Sequence, residues 1–299
     1  MTSPKSPNAG PKRDRWPELC KLATQDRGAT IRACGRWTEE KLRLWHRYIE
    51  ITTTAMVGKP QWSAGLVYVD LLAGPGICQI RDNGKRLPGS ALIAAHASKQ
   101  FAKIICVELD PQNAEACRER LALTPSAAQA EVLVGDCNAL IDDVSCRIPR
   151  RALTLAFIDP PGFDIQFSTL ARLSQNRQVD YLLLFADAID LIRNFDEYAA
   201  NEGSKLDRFF GTQSKWRELL RASDAKSGHS LSEAVRKLFE RQMKEQLGYG
   251  GFDYKTIKGP HGKLYDLVYT SKHARGLEFW KKISLTDQGG QGEFNWRED

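Results

Sequence analysis

Val67-Tyr-Val-Asp-Leu-Leu-Ala-Gly-Pro-Gly76 is the stretch that decides the fold of this chain. Its apolar residues alternate between Gly65 and Gly74, which is typical of a buried strand that ends in a glycine turn. Asp70 stands near the carboxyl end of that strand, where open α/β sheets bind their ligands. The same pattern also occurs in ordinary strand-to-loop turns, and the Gly-x-Gly-x-x-Gly spacing of dinucleotide-binding proteins is absent.

Repetition of this pattern downstream favours the ligand-binding interpretation. Four more strands are predicted, at residues 103–109, 131–135, 153–158 and 180–185. Helical patterns at 91–100 and 112–123 separate the early strands. The alternation predicts an α/β fold with a doubly wound, mainly parallel sheet and right-handed crossovers. The acidic residues expected along its carboxyl edge are Asp70, Glu108, Asp136 and Asp159.

A helix before the sheet and a helix after the first strand are expected near the ligand cleft. Residues 38–57 have a helical pattern with Thr38 as the N-cap, and this helix can close over the cleft or pack on the sheet edge. A long polar loop from Gly74 to Gly89 then leads to a helix that Ser90 can cap. The first amide groups of that helix would face the cleft and could hold a carboxylate or a phosphate.

The second half of the chain is expected to contain a helical insertion and a reversed pair of strands. Residues 187–247 are mainly helical and charged, with a capping-box pattern at Ser230-Leu-Ser-Glu233. Strands at 253–257 and 263–270 flank a glycine-rich turn and predict a hairpin, and a short helix follows at 277–283.

Composition limits the class of protein. Hydrophobic residues make up 42% of the sequence, and a net charge of +6 permits an anionic partner without requiring one. No apolar run reaches the roughly 18 residues of a membrane span, and the N-terminus lacks the apolar segment of a secretory signal. Seven cysteines without a C-x-x-C pair predict reduced thiols in a cytoplasmic protein, and no zinc site.

The ordered set of strand-end carboxylates resembles that of class I S-adenosylmethionine-dependent methyltransferases. The resemblance implies that the first strand and its glycine loop hold the methionine part of the cofactor. It also implies that the second-strand acid holds ribose, that the third-strand Asp holds adenine, and that the last strand is reversed. The cofactor-binding residues expected here are Asp70, Ala73, Gly74, Gly76, Ser90, Glu108, Leu109, Asp136, Cys137 and Asp159.

A narrower resemblance covers residues 37–283 and is to the three-Cys-motif partner family, a methyltransferase-like group. The matching pieces are Trp37-Thr-Glu-Glu-Lys-Leu42, Val69-Asp-Leu-Leu-Ala-Gly-Pro-Gly76, Pro88-Gly-Ser-Ala-Leu92, Phe157-Ile-Asp-Pro-Pro-Gly162, Arg208-Phe-Phe-Gly211 with Trp216, and Tyr265-Asp-Leu-Val-Tyr-Thr-Ser-Lys-His273. The three-cysteine motif belongs to that family's partner, so its absence here is no departure. The resemblance implies the cofactor more securely than the reaction, and it allows for a protein partner.

Asp159-Pro-Pro-Gly162 resembles the Asp-Pro-Pro-Tyr loop of amino-group methyltransferases, in which polar loop groups orient an amine and the aromatic ring stacks on a base. The catalytic residues expected on this basis are Asp159, Pro160 and Phe163. Gly162 occupies the aromatic position and Phe163 comes one residue later, which puts nucleobase stacking in doubt. The loop could also be a turn that only closes the cleft. His261 and His273 are further candidates for a base, although each could equally be a surface histidine.

These observations predict a transferase that uses S-adenosylmethionine to methylate an amine or hydroxyl of a small molecule. The alternatives are displacement chemistry that releases methylthioadenosine, methylation of nucleic acid, and a cofactor-binding partner module without catalysis. Nucleic acid is not favoured, because phosphate binding needs a denser basic face. The expected organisation is an N-terminal extension at 1–36 that is partly disordered, a methyltransferase-like domain at 37–283 and a C-terminal tail at 284–299.

Overall fold

The structure is a computed structural model that describes residues 14–28, 30–211, 215–222, 228–260 and 262–285. The elements are, in chain order, α1 (Trp16–Gln25), β1 (Arg32–Cys34), α2 (Trp37–Met56), β2 (Leu66–Asp70), β3 (Ile77–Ile80), β4 (Arg86–Pro88), α3 (Ser90–Ala95), β5 (Lys103–Glu108), α4 (Pro111–Ala122), β6 (Ala130–Val134), α5 (Ile141–Cys146), β7 (Leu153–Ile158), α6 (Phe167–Ser174), β8 (Gln178–Phe185), α7 (Ile192–Ala200), α8 (Lys205–Phe210), α9 (Trp216–Ala222), α10 (Gly228–Leu247), β9 (Gly251–Gly259), β10 (Gly262–Ser271) and α11 (Ala274–Ser284).

A seven-stranded sheet in the order β6-β5-β2-β7-β8-β10-β9 forms the centre of the molecule. The first five of these strands are parallel, and β10 runs antiparallel to both β8 and β9. The strand order reverses between β2 and β7, so the topological switch point lies at their carboxyl ends. The protein therefore has the predicted α/β fold, with a doubly wound, mainly parallel Rossmann-like sheet and a reversed C-terminal hairpin.

Helix α2 crosses the sheet from its carboxyl edge to its amino edge. Near its start, Lys41 pairs with Asp159 at the carboxyl end of β7. In its middle, the Trp45 ring stacks on Phe157 with the ring centroids 5.2 Å apart. The Tyr48 ring lies 5.0 Å from that of Tyr269 on β10. These large side chains are buried, so the helix is held across β7 and β10 and its first turn is placed over the cleft.

A second, three-stranded sheet stands where a long polar loop was predicted between Gly74 and Gly89. Strand β3 pairs with β4 in antiparallel register and with β1 in parallel register. The prediction of a loop is wrong because each of these strands has only three or four residues, and their pairing partner β1 lies more than 40 residues earlier in the chain.

Three predicted helix starts also differ from the structure. The N-cap of α2 is Arg36 rather than Thr38, and Ser90 is the first residue of α3, with Gly89 as its N-cap. Helix α10 already begins at Gly228, so the pattern at 230–233 lies inside the helix. A capping box does form elsewhere, at the start of α8, where the Ser204 side chain accepts from the Asp207 amide and Asp207 accepts from the Ser204 amide.

Residues 16–34, which the sequence places in the N-terminal extension, form α1 and β1 on the body of the domain. Trp16, Leu19 and Ala23 are buried, and α1 packs against β4. The domain boundaries at 37 and 284 remain predictions, and the tail at 286–299 lies outside the described residues. Within the described part of the chain, no helix combines the length and the apolar character needed to cross a membrane.

Candidate functional site

The glycine turn after β2 is tied to the end of β5 by the carboxylate of Glu108. Gly74 and Gly76 have φ angles of +63° and +87°, a region that favours glycine because it has no Cβ. The Gly74 amide donates to Glu108 Oε2 at 2.8 Å, and the Asp110 amide donates to Oε1 at 2.9 Å. Glu108 is half-buried, and each of its carboxylate oxygens can accept a further hydrogen bond.

Asp70 lies beneath this turn and supports it from inside. Its carboxylate is fully buried and accepts hydrogen bonds from the Tyr68 hydroxyl at 3.0 Å and from the Leu72 amide at 3.3 Å. Burial raises the pKa of Asp70 to about 6, while hydrogen bonds from Ser90, Tyr68 and Leu72 act in the opposite direction. Asp70 and the equally buried Ser90 therefore position the turn, rather than presenting open polar groups to a ligand.

Arg120 is a buried clamp on the glycine turn, and the sequence did not predict it. Its guanidinium makes two hydrogen bonds to the Asp26 carboxylate, at 2.8 and 3.1 Å. The same group donates to the carbonyl oxygens of Thr30 at 2.8 Å and Pro75 at 2.5 Å. One cation therefore joins α4, the segment between α1 and β1, and the turn. The local sequence predicts a solvent-exposed arginine on an amphipathic helix. It contains no signal that this arginine is buried and bonded to the glycine turn.

The remaining predicted cofactor residues follow the carboxyl ends of β2, β5 and β6, and the exposed ones, Leu109 and Asp136, form the rim of this edge of the sheet. Leu109 follows Glu108 and is 69% exposed, which is unusual for a leucine next to a buried strand. Asp136 is exposed, and its carboxylate accepts from the Asn138 amide at 2.8 Å and from the Asn138 side chain at 3.1 Å. Ala73 and Cys137 are buried, and burial raises the pKa of the Cys137 thiol to about 12. The rim thus offers an apolar surface between two carboxylates.

Asp159 reaches the cleft, but it is not a free carboxylate. Its Oδ2 atom lies 2.5 Å from Lys41 Nζ, and the two side chains are 19% and 7% exposed. Lys41 also lies over the Tyr265 ring, 5.6 Å from the ring centroid. The sequence predicted Asp159 as a catalytic residue but did not predict its partner, which comes from α2. Pro160 is buried directly behind this pair.

Tyr265 stands out in this cluster because its hydroxyl is buried and has no hydrogen-bond partner among the described residues. Burial raises the pKa of Tyr265 first, and the negative charges of Asp159, Glu40 and Cys34 raise it further. The hydroxyl is therefore neutral at physiological pH. An unsatisfied buried hydroxyl costs about 1–3 kcal/mol, so a ligand that pairs with it gains a corresponding advantage. The sequence predicted Tyr265 only as part of a family motif, without a role.

Phe163, which the sequence predicted as a catalytic residue, is buried in the core. Its ring makes edge contacts with Phe185 and Phe209 at centroid distances of 5.2 and 4.8 Å. The surroundings of Gly162 explain why the aromatic residue comes one position later than in the Asp-Pro-Pro-Tyr loop. A Cβ at that position would lie 2.3 Å from Asp190 Oδ2, and this carboxylate is held by the Phe163 amide at 2.9 Å. The loop closes on Asp190 and has no space for an aromatic residue at position 162.

Of the two histidines considered as bases, the structure describes His273, which does not join the site. His273 lies after β10 at the opposite, amino edge of the sheet, where its ring nitrogen accepts from the Arg275 amide at 3.2 Å and caps α11. His261 lies outside the described residues. Among the side chains that the structure describes, no group of three or more His, Cys, Asp or Glu residues could hold a metal ion.

No protein-family model matches the chain, and no curated protein matches it. Solved structures do align with it. A Legionella pneumophila protein is 13% identical over 81% of this chain and 88% of its own, with a TM-score of 0.46. The O-methyltransferase TomG from Streptomyces achromogenes, solved in complex with SAM, is 11% identical over 88% and 99%, with a TM-score of 0.41. A cofactor-bound protein from MTB is 14% identical over 86% and 88%, with a TM-score of 0.43. Similarity this low supports no statement about function.

The burial of Asp70 predicts a specific pH dependence of stability. A folded-state pKa of about 6, above the ordinary 3.8, means that Asp70 favours folding at low pH and that this contribution is lost as the pH rises through 6. Asp70→Asn removes the titration. We expect the free energy of unfolding of wild type, relative to the variant, to fall by roughly 2–3 kcal/mol from about pH 4 to pH 7, at 1.36 kcal/mol per pKa unit.

Urea denaturation at several pH values measures this difference. Asp143→Asn on α5 is a matched control, because Asp143 is exposed. A difference between wild type and Asp70→Asn that does not change with pH would show that Asp70 keeps an ordinary pKa in the folded protein.

Proposed function

We propose that the chain is an S-adenosylmethionine-dependent transferase that methylates a hydroxyl or an amine of a small molecule. The observation that carries this proposal is the hydrogen bond from the Gly74 amide to Glu108 at the switch point of the sheet, with the exposed Leu109 beside it. Open α/β sheets bind their ligands at this position. An apolar surface flanked by carboxylates matches a ligand that has a flat base and a ribose.

The residues at the carboxyl edge fit the parts of this cofactor. The turn at Gly74 and Gly76 lets the backbone come close to the methionine part, since no Cβ stands at either residue. Free lone pairs of Glu108 can accept from the ribose hydroxyls, Leu109 can cover a face of the adenine ring, and Asp136 can accept from its amino group. Asp70, Ser90 and Arg120 support these contacts from behind.

For methyl transfer from a sulfonium, the main task of the protein is to align the reacting groups. When bound, the cofactor supplies a methyl group that is already activated. The protein must hold the nucleophile in line with the methyl carbon and the sulfur, and must exclude water. The Asp159-Pro-Pro-Gly162 loop supports such a role because both prolines restrict the backbone and Asp190 holds the loop amide of Phe163. Lys41 keeps the Asp159 carboxylate in one orientation.

Calorimetry with S-adenosylmethionine and S-adenosylhomocysteine tests the first part of the proposal, and absence of binding to both would contradict it. Mass analysis of the products then separates the reaction classes. Adenosylhomocysteine indicates methylation, methylthioadenosine indicates displacement within the cofactor, and neither product indicates a binding module. Action on small molecules, a cytoplasmic location and a protein partner remain predictions of the sequence.

Replacement of Glu108 should weaken cofactor binding without unfolding the protein. A hydrogen bond to a charged group contributes roughly 1.5–3 kcal/mol, so Glu108→Ala should raise the dissociation constant of S-adenosylhomocysteine about 10- to 100-fold. The variant also frees the Gly74 amide, which adds to the loss. Glu119→Ala removes an exposed carboxylate from α4 and serves as control. If both variants bind equally well in calorimetry, Glu108 has no part in cofactor binding.

Arg32 is a further candidate to hold the cofactor. It is exposed at the start of β1, and a Cβ on Gly74 would lie 4.0 Å from its Nη1 atom. A guanidinium at the glycine turn can pair with the carboxylate of the methionine part. We expect Arg32→Gln to weaken S-adenosylhomocysteine about tenfold. Methylthioadenosine lacks that carboxylate, so its affinity should not change.

Arg36→Gln is the matched control, because Arg36 is exposed and pairs with Asp82 instead. Calorimetric titration of both ligands into all three proteins gives the comparison. An equal loss for the two ligands would mean that Arg32 supports the fold of the turn and does not contact the carboxylate.

A further inference from the structure

We infer that the group which accepts the methyl is an oxygen, as in a hydroxyl or a phenol, and that Lys41 and Tyr265 hold it at the end of β7. The inference rests on the proposed function and selects between the two nucleophiles that it leaves open. It depends on which hydrogen-bonding groups surround the Asp159 end of the cleft. Lys41 and Tyr265 come from α2 and β10, and the fold brings both to the carboxyl end of β7.

The side chains around this end of the cleft are rich in donors. Lys41 is an ammonium group with three donors and no acceptor capacity. Tyr265 keeps its proton, because its pKa is raised by burial and by the nearby negative charges of Asp159, Glu40 and Cys34. Its buried hydroxyl finds no partner among the described residues. Asp159 is the acceptor here, and one of its oxygens is already occupied by Lys41.

Donors of this kind suit an oxygen nucleophile and disfavour an amine. A hydroxyl oxygen has two lone pairs, so one can accept from Tyr265 or Lys41 while the other attacks the methyl carbon. A neutral amine has a single lone pair. If that lone pair accepts a hydrogen bond from Lys41 or Tyr265, it is no longer available for attack. A protonated amine is in addition repelled by the ammonium group of Lys41.

Asp159 and Tyr265 can contact the same substrate atom. Lys41 Nζ lies 2.5 Å from Asp159 Oδ2 and 5.6 Å from the centroid of the Tyr265 ring, so the carboxylate and the phenol ring both lie next to the same ammonium group. The Tyr265 hydroxyl is not hydrogen-bonded to Asp159. A hydroxyl between them would donate to Asp159 and accept from Tyr265. In the transfer, an oxygen lone pair forms the bond to the methyl carbon, and the carbon–sulfur bond breaks with its electrons passing to sulfur. The hydroxyl proton moves to Asp159 and then to solvent.

Matched fragments test the choice of nucleophile on the full chain with S-adenosylhomocysteine present. The probes are phenol and benzyl alcohol, with aniline and benzylamine as partners of the same size, and ligand-observed NMR measures their binding. We expect the two hydroxyl fragments to bind at least tenfold more tightly than the amines, since a site built to pair with a hydroxyl rejects analogues strongly. Tyr265→Phe and Lys41→Met should each remove most of this preference.

Three controls separate recognition from a structural effect. Tyr254→Phe removes a hydroxyl that pairs with Glu240 on the far side of the sheet, and it should leave fragment binding unchanged. Lys41→Arg keeps the cation and the donors, so it should keep the preference. Tyr265→Phe should keep or raise the urea midpoint, because the hydroxyl that it removes is buried and has no partner within the described structure.

The outcomes that would overturn the inference are distinct from those that would overturn the proposed function. Failure to bind S-adenosylhomocysteine contradicts the proposed function itself. If the chain binds S-adenosylhomocysteine but prefers the amines, binds neither class of fragment, or responds equally to Tyr254→Phe and Tyr265→Phe, then only the assignment of an oxygen nucleophile is wrong.

Discussion

The hydrogen bond between the Gly74 amide and the Glu108 carboxylate joins the turn after β2 to the carboxyl end of β5, its neighbour in the sheet. It exists because β2 must end in a turn that only glycines can form, and because β5 carries an acid at the same level. Every other group of the cleft is arranged around this link. Asp70 supports the turn from below, Arg120 holds it from the side, and Leu109 extends from it into solvent.

The N-terminal segment packs onto the domain and contributes side chains and backbone groups to the carboxyl edge of the sheet. Asp26 and Thr30 bind Arg120, and α2 delivers Lys41 to Asp159. A buried ion pair needs good geometry to offset the desolvation of both charges. Here that geometry depends on the aromatic packing of α2 across the sheet, since Trp45 and Tyr48 fix the position of the helix. The stability of the fold and the chemistry of the cleft therefore depend on the same helix.

In the loop after β7, packing against Asp190 changes which residue types fit, although the loop keeps its place at the carboxyl end of the strand. Asp190 lies in the turn before α7 and accepts from the Phe163 amide, the Asn194 side chain and the Tyr198 hydroxyl. The close approach of its carboxylate excludes any side chain at position 162. The aromatic ring that follows turns inward to a cluster of phenylalanines instead. The loop keeps its carboxylate but presents no aromatic ring at position 162.

The sequence by itself determined that the sheet is doubly wound and mainly parallel, that its last two strands form a reversed hairpin, and that acidic residues stand at the carboxyl ends of its parallel strands. These follow from local periodicity and from the handedness of parallel crossovers, both of which act over short stretches of chain. Only the tertiary structure decided what each carboxylate does. Asp159 meets Lys41 across 118 residues, and Asp26 meets Arg120 across 94. Such pairs depend on how α1 and α2 pack across the sheet, and a local pattern cannot encode contacts between side chains so far apart in the chain.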